Sequence, residues 1–345
     1  HMRILLTLTF CSMLLLGCDQ VNQRRARRMA NEAVKQIQAQ QYSSAKNTLR
    51  KAIALYDKDP YIHYLLGRAH HGGQEWEQAI SSFRKTIALA PKKKQAHLYL
   101  AESYARSNKP NDAIEPYTKA IALETQQQKK AEYTFQMAQA HRKAKQFDQA
   151  AQAFEQAIKI KPQQGEYYYA LALSFFDQAK QHETKQLLEQ QQQESKNKKQ
   201  GKSKLKAQTI LKSVPEAVKP LYTKAEQVLK RAVQNKAENS DIQNLFALIH
   251  IKMHRFEQAI TLCDQLAAKT AYKGGALYHK GMAYDLWFEK LRLLAEDEKD
   301  RSKKQLLLEK SKKLRDLALE TFKAFLKVPG SRYANLKADI NMKIR

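Results

Sequence analysis

The chain has few of the residues that interrupt helices. It contains only 10 glycines and 8 prolines among 345 residues, whereas alanine, glutamine, lysine and leucine are abundant. These abundant residues are good helix formers, and their dominance favours helix along the whole chain. The composition therefore predicts an all-α protein.

Cysteine is also scarce. Cys11 and Cys18 lie in the N-terminal segment, so Cys263 is the one cysteine in the rest of the chain. No disulfide can form within that part, and cysteine usage does not identify the compartment. Cys263 falls at an apolar helical position, which favours a place in the core over a reactive role.

The sequence lacks the common catalytic signatures. It has no G-x-S-x-G, no P-loop and no dinucleotide fingerprint. His250 and His254 have the i, i+4 spacing of a zinc protease, but Ile251 stands where the catalytic glutamate is needed. We expect no enzymatic activity, no cofactor and no metal site.

Acidic residues are few beside basic ones. Lys and Arg number 61 and Asp and Glu 34, which gives a formal net charge of +27. A stretch from Ser195 to Lys212 has no acid at all, and its lysines are Lys196, Lys198, Lys199, Lys202, Lys204 and Lys206, with Lys212 at its end. This stretch is either a binding site for an anionic polymer, an acidic protein or lipid headgroups, or a solvated insertion. Nucleic acid is not an expected partner, because no aromatic residues alternate with the lysines.

Long apolar runs are missing except near the N-terminus. The run Ile4–Leu16 follows Arg3 and is too short to span a bilayer comfortably. It ends in Leu15, Leu16, Gly17 and Cys18, which resembles the lipobox of bacterial lipoproteins. The resemblance implies a signal peptide over residues 1–17 and a lipid on the sulfur of Cys18.

The residues after Cys18 bear on the location. Residues 18–28 are expected to form a lipidated basic tether, whose arginines would be attracted to anionic headgroups. Asp19 resembles a signal for retention in the inner membrane. We expect a bacterial protein anchored in the cell membrane on the periplasmic side. The alternative is an uncleaved anchor with a cytoplasmic adaptor, because the arginines after the apolar run outnumber Arg3.

A repeating pattern organises the rest of the chain. In the stretch from Pro60 to Pro91, Gly67, Trp76, Ala79 and Phe83 fall at the spacing of two helices joined by a tight turn. The pattern recurs with a period of about 34 residues and resembles the tetratricopeptide repeat (TPR). The resemblance implies a superhelical solenoid of about seven helix-turn-helix units.

Departures from the repeat define the predicted domains. Residues 29–179 hold units one to four and the first helix of unit five, and residues 180–214 form an insertion rich in glutamine and lysine. Residues 215–345 complete unit five and add units six and seven. Unit seven is expected to have elongated helices, and the segment from Val328 to Ile340 is expected to cap the array.

In TPR proteins the first helices line a concave groove that takes a peptide or a helix of a partner. Residue types that dominate interface energy occur at the matching positions. The candidate groove residues are Tyr64, Arg68, Phe135, Gln139, Arg142, Tyr169, Phe176 and Tyr278. The alternative is that several of the aromatic residues pack between repeats.

These features predict a lipid-anchored scaffold that binds protein partners through its groove in a bacterial envelope machine, of the pilus, barrel, cell-wall or polysaccharide-export type. The alternative is a protein that binds an anionic polymer or a membrane surface through the lysine-rich stretch. The repeat itself favours the scaffold but does not specify the partner.

Overall fold

The structure is a computed structural model that describes residues 2–198, 213–237, 239–269, 273–329 and 334–344. Within these ranges the chain forms fifteen helices and no strand, which confirms the all-α repeat fold. Among the described residues, we find no helix with both the length and the apolar character needed to cross a membrane. The chain divides into two compact units, one ending at Ile160 and the other beginning at Lys161.

The first unit contains four helix pairs. Within it, each helix packs on the next along the chain; in addition, α1 contacts α3, and α3 contacts α5. The helices are α1 (Met2–Gln38), α2 (Tyr42–Leu55), α3 (Pro60–Gly72), α4 (Trp76–Leu89), α5 (Lys94–Arg106), α6 (Pro110–Ala122), α7 (Gln127–Lys143) and α8 (Phe147–Ile160).

The second helix of each pair buries one stripe of small and large residues. In α4, Ala79, Phe83 and Thr86 are fully buried, as the four-then-three spacing predicts. The Thr86 hydroxyl keeps a hydrogen bond by donating to the Ser82 carbonyl at 2.9 Å. Burial of a side chain such as Phe83 contributes about 1.5–3 kcal/mol to folding.

Helices cross most closely at small residues. A Cβ placed on Gly67 of α3 would lie 2.5 Å from Cε1 of Phe83 on α4, well inside the van der Waals distance. Gly281 of the last pair stands in the same relation to the Phe322 ring. The glycine at this position lets the two helices of a pair meet along the aromatic ring.

The turns inside the pairs share one backbone conformation. Gln40, Gln74 and Asn108 have positive φ angles and follow one another at a spacing of 34 residues. Lys145 adopts the same conformation in the fourth pair, with φ of 61°. A left-handed residue directly after a helix is a common way to end it, and glycine is the residue that adopts this conformation most easily.

The second unit contains three helix pairs and a closing helix. Its helices are α9 (Gly165–Lys198), α10 (Lys219–Gln234), α11 (Ser240–Lys252), α12 (Phe256–Ala267), α13 (Lys273–Asp297), α14 (Arg301–Leu326) and α15 (Ala334–Ile344). The elongated seventh pair, α13 with α14, has the form that the sequence predicts, and α15 follows as the predicted cap.

The predicted insertion over 180–214 is partly regular structure. Helix α9 continues without a break from the fifth repeat through Lys180 to Lys198, so Lys196 and Lys198 lie at its C-terminal end. The remaining predicted lysines, Lys199, Lys202, Lys204 and Lys206, lie outside the described residues. The first part of the predicted insertion is therefore the C-terminal part of a long helix, which passes through residue 180 without a break.

The predicted tether over 18–28 is also part of a helix. These residues belong to α1, where Ala26 is fully buried and Arg27 Nε donates a 3.0 Å hydrogen bond to the Asp59 carboxylate. The first repeat thus begins before residue 29, because its first helix already packs here. The Cys18 side chain lies outside the described side chains, so its lipidation stays a prediction.

Candidate functional site

Polar and aromatic side chains of α3 and α5 meet between these two first helices. We call them the α3/α5 cluster, which consists of Tyr64, Arg68, His71, Tyr99, Glu102 and Arg106. The Arg68 guanidinium lies over the Tyr99 ring, 5.7 Å from its centroid. The Tyr99 ring in turn stacks on Phe83 at 5.6 Å with an angle of 14° between the planes. The core below thus fixes Tyr99, and Tyr99 positions Arg68.

His71 closes one end of the cluster. Its ring meets Tyr99 edge-on at 5.3 Å and Trp76 at 5.2 Å, so aromatic rings hold it from two sides. The nearest carboxylate oxygen of Glu102 is 3.7 Å from its Nε2, which is too long for a hydrogen bond. The ring position is therefore set by packing.

Burial shapes the electrostatics of the cluster. It lowers the pKa of His71, and the charges of Arg106 and Arg68 lower it further, so the imidazole is neutral at neutral pH. Burial also raises the pKa of Glu102, while Arg106 opposes this rise. Burial raises the pKa of Tyr64 to about 12, which keeps its hydroxyl protonated. The cluster thus offers two guanidinium groups, a carboxyl group and neutral polar rings.

The arrangement suits recognition of a peptide. Arginine and tyrosine are enriched among residues that carry binding energy at interfaces, because they combine a large contact area with hydrogen bonding. A guanidinium pre-oriented on an aromatic ring can donate to carbonyl or carboxylate oxygens with little further loss of entropy. Arg68 is half-buried and so remains within reach of a ligand.

The structure separates the eight predicted groove residues into two sets. Tyr64, Phe135 and Phe176 are buried: Tyr64 contacts Tyr99 at 6.0 Å, Phe135 contacts Phe154 at 5.6 Å, and Phe176 contacts Tyr222 at 5.7 Å. These three side chains pack against aromatic rings of neighbouring helices. The half-buried set consists of Arg68, Gln139, Arg142, Tyr169 and Tyr278.

Tyr278 of the second unit also has a packing role. Its ring lies 5.5 Å from the fully buried Phe325, which links α13 to α14. Of the eight predicted groove residues, the structure places Tyr64 and Arg68 in one cluster, in the first unit. We do not combine the other six into a site.

The sequence did not indicate the packing roles of His71 and Tyr99. Tyr99 lies on α5, and its ring turns toward Tyr64 and His71 of α3 and toward Phe83 of α4. The 34-residue period gives the face of a helix and not the direction in which a long aromatic side chain leans. The pair Tyr99 and Arg68 is thus a product of contact between repeats.

Comparison with protein families identifies the repeat. Residues 31–92, 72–127 and 131–164 match models described as tetratricopeptide repeat. The chain thus carries tetratricopeptide repeats, and these matched repeats lie almost entirely in the first unit.

The chain is also similar to several solved structures. One of MamA has 16% identity and a TM-score of 0.46, and covers 61% of this chain and 92% of its own. One of YrrB, titled a TPR protein with an unusual peptide-binding site, has 14% identity and a TM-score of 0.46, with coverage of 66% and 94%. One of PilF from Pseudomonas aeruginosa has 13% identity and a TM-score of 0.45, with coverage of 72% and 92%. A comparison with curated protein sequences found no match.

Proposed function

We propose that the protein is a lipid-anchored scaffold that captures a partner protein through the α3/α5 cluster, on the periplasmic side of a bacterial envelope. The observation that carries the binding role is the Arg68 guanidinium held over Tyr99 between two first helices. The lipobox ending in Cys18 supports the anchor, and Asp19 favours the inner membrane. Assembly of an envelope machine, of the pilus, barrel, cell-wall or polysaccharide-export type, is the role that suits such a scaffold.

A matched pair of variants tests the binding role. Arg68→Ala removes the guanidinium of the cluster, whereas Lys85→Ala removes an exposed cation from α4 of the same repeat. We expect affinity capture from detergent-solubilised envelopes to lose its specific partner with Arg68→Ala and to keep it with Lys85→Ala. Equal capture by both variants would show that the cluster is not the binding site.

The anchor has its own experiment. Cys18→Ala removes the sulfur that would carry the lipid and leaves the repeats unchanged. We expect the natural chain to fractionate with membranes and to incorporate radiolabelled palmitate, and the variant to do neither. If the two proteins fractionate identically and neither takes up the label, the lipoprotein assignment is wrong.

The small number of acidic residues supports a second candidate function, which is binding to an anionic polymer or a membrane surface. The chain carries a net charge of +27, and its lysine-rich stretch over 195–212 contains no acidic residue. Such a stretch binds anionic polymers or headgroups in a salt-dependent way. Deletion of residues 195–212 distinguishes the two functions. If the stretch binds headgroups, the deletion abolishes salt-sensitive binding to phosphatidylglycerol vesicles. If the protein acts through the α3/α5 cluster, the deletion leaves capture of the partner protein unchanged.

A further inference from the structure

The second unit contains an open cleft of about 590 Å³. It lies where α10 and α12, the second helices of two successive pairs, meet the C-terminal end of α11. Its lining is polar apart from one aromatic ring, and consists of Thr223, Glu226, Gln227, Lys230, Phe246, His250, Arg255 and Gln258. Its volume is in the range that accommodates a ligand or a few residues of a peptide.

The floor of the cleft carries a negative charge and its rim carries two positive charges. Glu226 is 9% exposed, and its two oxygens accept 2.7 Å hydrogen bonds from Lys230 Nζ and Arg255 Nη1. Burial raises the pKa of Glu226, but the hydrogen bonds and charges of Lys230 and Arg255 outweigh burial and lower it. Lys230 is 58% exposed and Arg255 is 36% exposed, so solvent meets the cations and not the carboxylate.

The turn between α11 and α12, at the edge of the cleft, differs from the corresponding turns of other repeats in one residue. In the second and fourth pairs, the histidine near the end of the first helix bonds an acceptor five residues later. His70 Nδ1 is 2.6 Å from Glu75 Oε2, and His141 Nδ1 is 2.6 Å from Gln146 Oε1. In the sixth pair the corresponding residues are His250 and Arg255, joined by the same backbone hydrogen bond from the later N–H to the histidine carbonyl.

Arg255 cannot replace the missing acceptor, because a guanidinium has only donors. A neutral imidazole nitrogen could accept from a guanidinium, but no such bond forms here, and His250 Nδ1 is buried without a hydrogen-bond partner in the described part of the chain. The Arg255 side chain instead reaches Glu226 on the preceding second helix. An arginine at this turn thus exchanges the bond to the histidine for an ion pair with Glu226 on the preceding second helix.

The ion pair across the turn is also reversed in polarity. Lys46 pairs with Glu75 in the first unit and Glu226 pairs with Arg255 in the second, and each pair is separated by 29 residues. In the ion pair of Lys46 with Glu75, the lysine is the better buried partner, with a side-chain exposure of 13% against 36% for Glu75. In the ion pair of Glu226 with Arg255, the carboxylate is the buried partner. The more exposed member has therefore changed from a carboxylate to a guanidinium at the same place in the repeat.

The geometry points to a binding site for an acidic segment of a partner protein in this cleft. The Arg255 guanidinium and the Lys230 ammonium group would donate hydrogen bonds to a carboxylate side chain of the segment, since a guanidinium matches a carboxylate in shape and charge. Gln227 and Gln258 can bond to its peptide groups, and Phe246 can contact its apolar atoms. This site is separate from the α3/α5 cluster and does not depend on the function proposed for that cluster.

Two variants test the site because each copies an arrangement that the protein already uses elsewhere. Arg255→Gln gives His250 the glutamine acceptor that His141 has, and Glu226 keeps Lys230. The double variant Glu226→Lys with Arg255→Glu copies the polarity of Lys46 and Glu75, and it leaves the net charge of the chain unchanged. Both are expected to remain folded, as circular dichroism would show.

The probe is a fluorescent peptide of alternating glutamate and alanine, measured by anisotropy on the full chain, with a glutamine-for-glutamate peptide as its neutral counterpart. We expect each variant to bind the acidic peptide about ten-fold more weakly than the natural chain. Lys119→Gln, which removes an exposed cation from α6, is expected to bind as the natural chain does. The neutral peptide is expected to bind weakly to all of them.

Natural affinity in the double variant would overturn the proposal, because the lysine-rich stretch and the net charge are still present there. Equal binding of the neutral peptide would also overturn it. Competition by inorganic phosphate as effective as that by the acidic peptide would assign the cleft to another anion and reject the peptide. If one variant fails to fold, the other still decides between these outcomes.

Discussion

The Tyr222 hydroxyl donates a 2.6 Å hydrogen bond to the Glu183 carboxylate, which lies 39 residues earlier in the chain. Lys252 Nζ donates to the other oxygen of Glu183 at 2.8 Å. Tyr222 is fully buried on α10, and burial, followed by the hydrogen bond to Glu183, raises its pKa. A single carboxylate on α9 thus joins α10 and α11 to the long helix.

Removal of this carboxylate is expected to weaken the second unit. Glu183→Ala leaves a buried hydroxyl without its acceptor and should lower the free energy of unfolding by about 1–3 kcal/mol. Glu189→Ala, which removes an exposed carboxylate from the same helix, should change it by less than about 0.5 kcal/mol. Urea denaturation followed by circular dichroism measures both, and equal effects would show that the Glu183 bonds contribute nothing.

The close helix crossing at Gly67 gives a second prediction. Gly67→Ala places a methyl group 2.5 Å from the Phe83 ring and should cost about 1–3 kcal/mol, more than the gain of about 1 kcal/mol in helix propensity. Combination with Phe83→Leu should recover part of the loss, because the smaller side chain leaves room. Gly73→Ala, where the nearest atom is 3.4 Å away, is the control in thermal unfolding. If Gly67→Ala does not lower the melting temperature, α3 and α4 can move apart without loss of stability, and the prediction is wrong.

A third prediction concerns the turn of the fourth pair. Lys145 has a φ of 61°, a conformation in which every residue with a Cβ is strained. Lys145→Gly should therefore raise the free energy of unfolding by about 0.5–1 kcal/mol. Lys143→Gly, at the end of α7, should lower it by about 1 kcal/mol, because glycine disfavours helix. The two changes in melting temperature should have opposite signs, and a shared sign would contradict the interpretation.

A fourth prediction concerns His279 of α13, which is half-buried. Burial lowers the pKa of His279 to about 4, while a backbone hydrogen bond with Gly275 opposes the shift. An unfolded histidine takes up a proton as the pH falls below about 6.5, whereas the folded one does not until far lower pH. The stability that His279 contributes is thus complete above about pH 6.5 and is lost as the pH falls toward about 4.

The measurement is the urea midpoint at about pH 7 and about pH 5. His279→Gln cannot titrate, so its midpoint should fall less over this interval than that of the natural chain. The size of the fall is the readout, and an overall change in stability does not affect it. An identical fall in both proteins would place the acid sensitivity at other groups.

The parts of the fold that could be predicted depend on local pattern. Ala79, Phe83 and Thr86 share a stripe that helix geometry alone defines, and Pro110 begins α6 because its missing N–H costs nothing at that position. Such features require knowledge of only one turn of chain.

The parts that could not be predicted depend on distant contacts. Glu183 gains its role from Tyr222 and Lys252, far away in the sequence. Tyr64 fits a groove position, yet it is buried by Tyr99 of the next repeat. Arg255 is recognised as unusual only when its repeat is compared with those in which Glu75 and Gln146 accept a hydrogen bond from histidine at the same position.

The main helix contacts join helices that are adjacent, or next but one, along the chain. Stability in such an array is close to a sum over neighbouring repeats, so a change in one repeat is felt by its neighbours and little beyond. The α3/α5 cluster and the cleft at Arg255 belong to different compact units. Mutation can therefore alter the preference of one surface for its partner while the other stays as it was, and natural selection can adjust each of them separately.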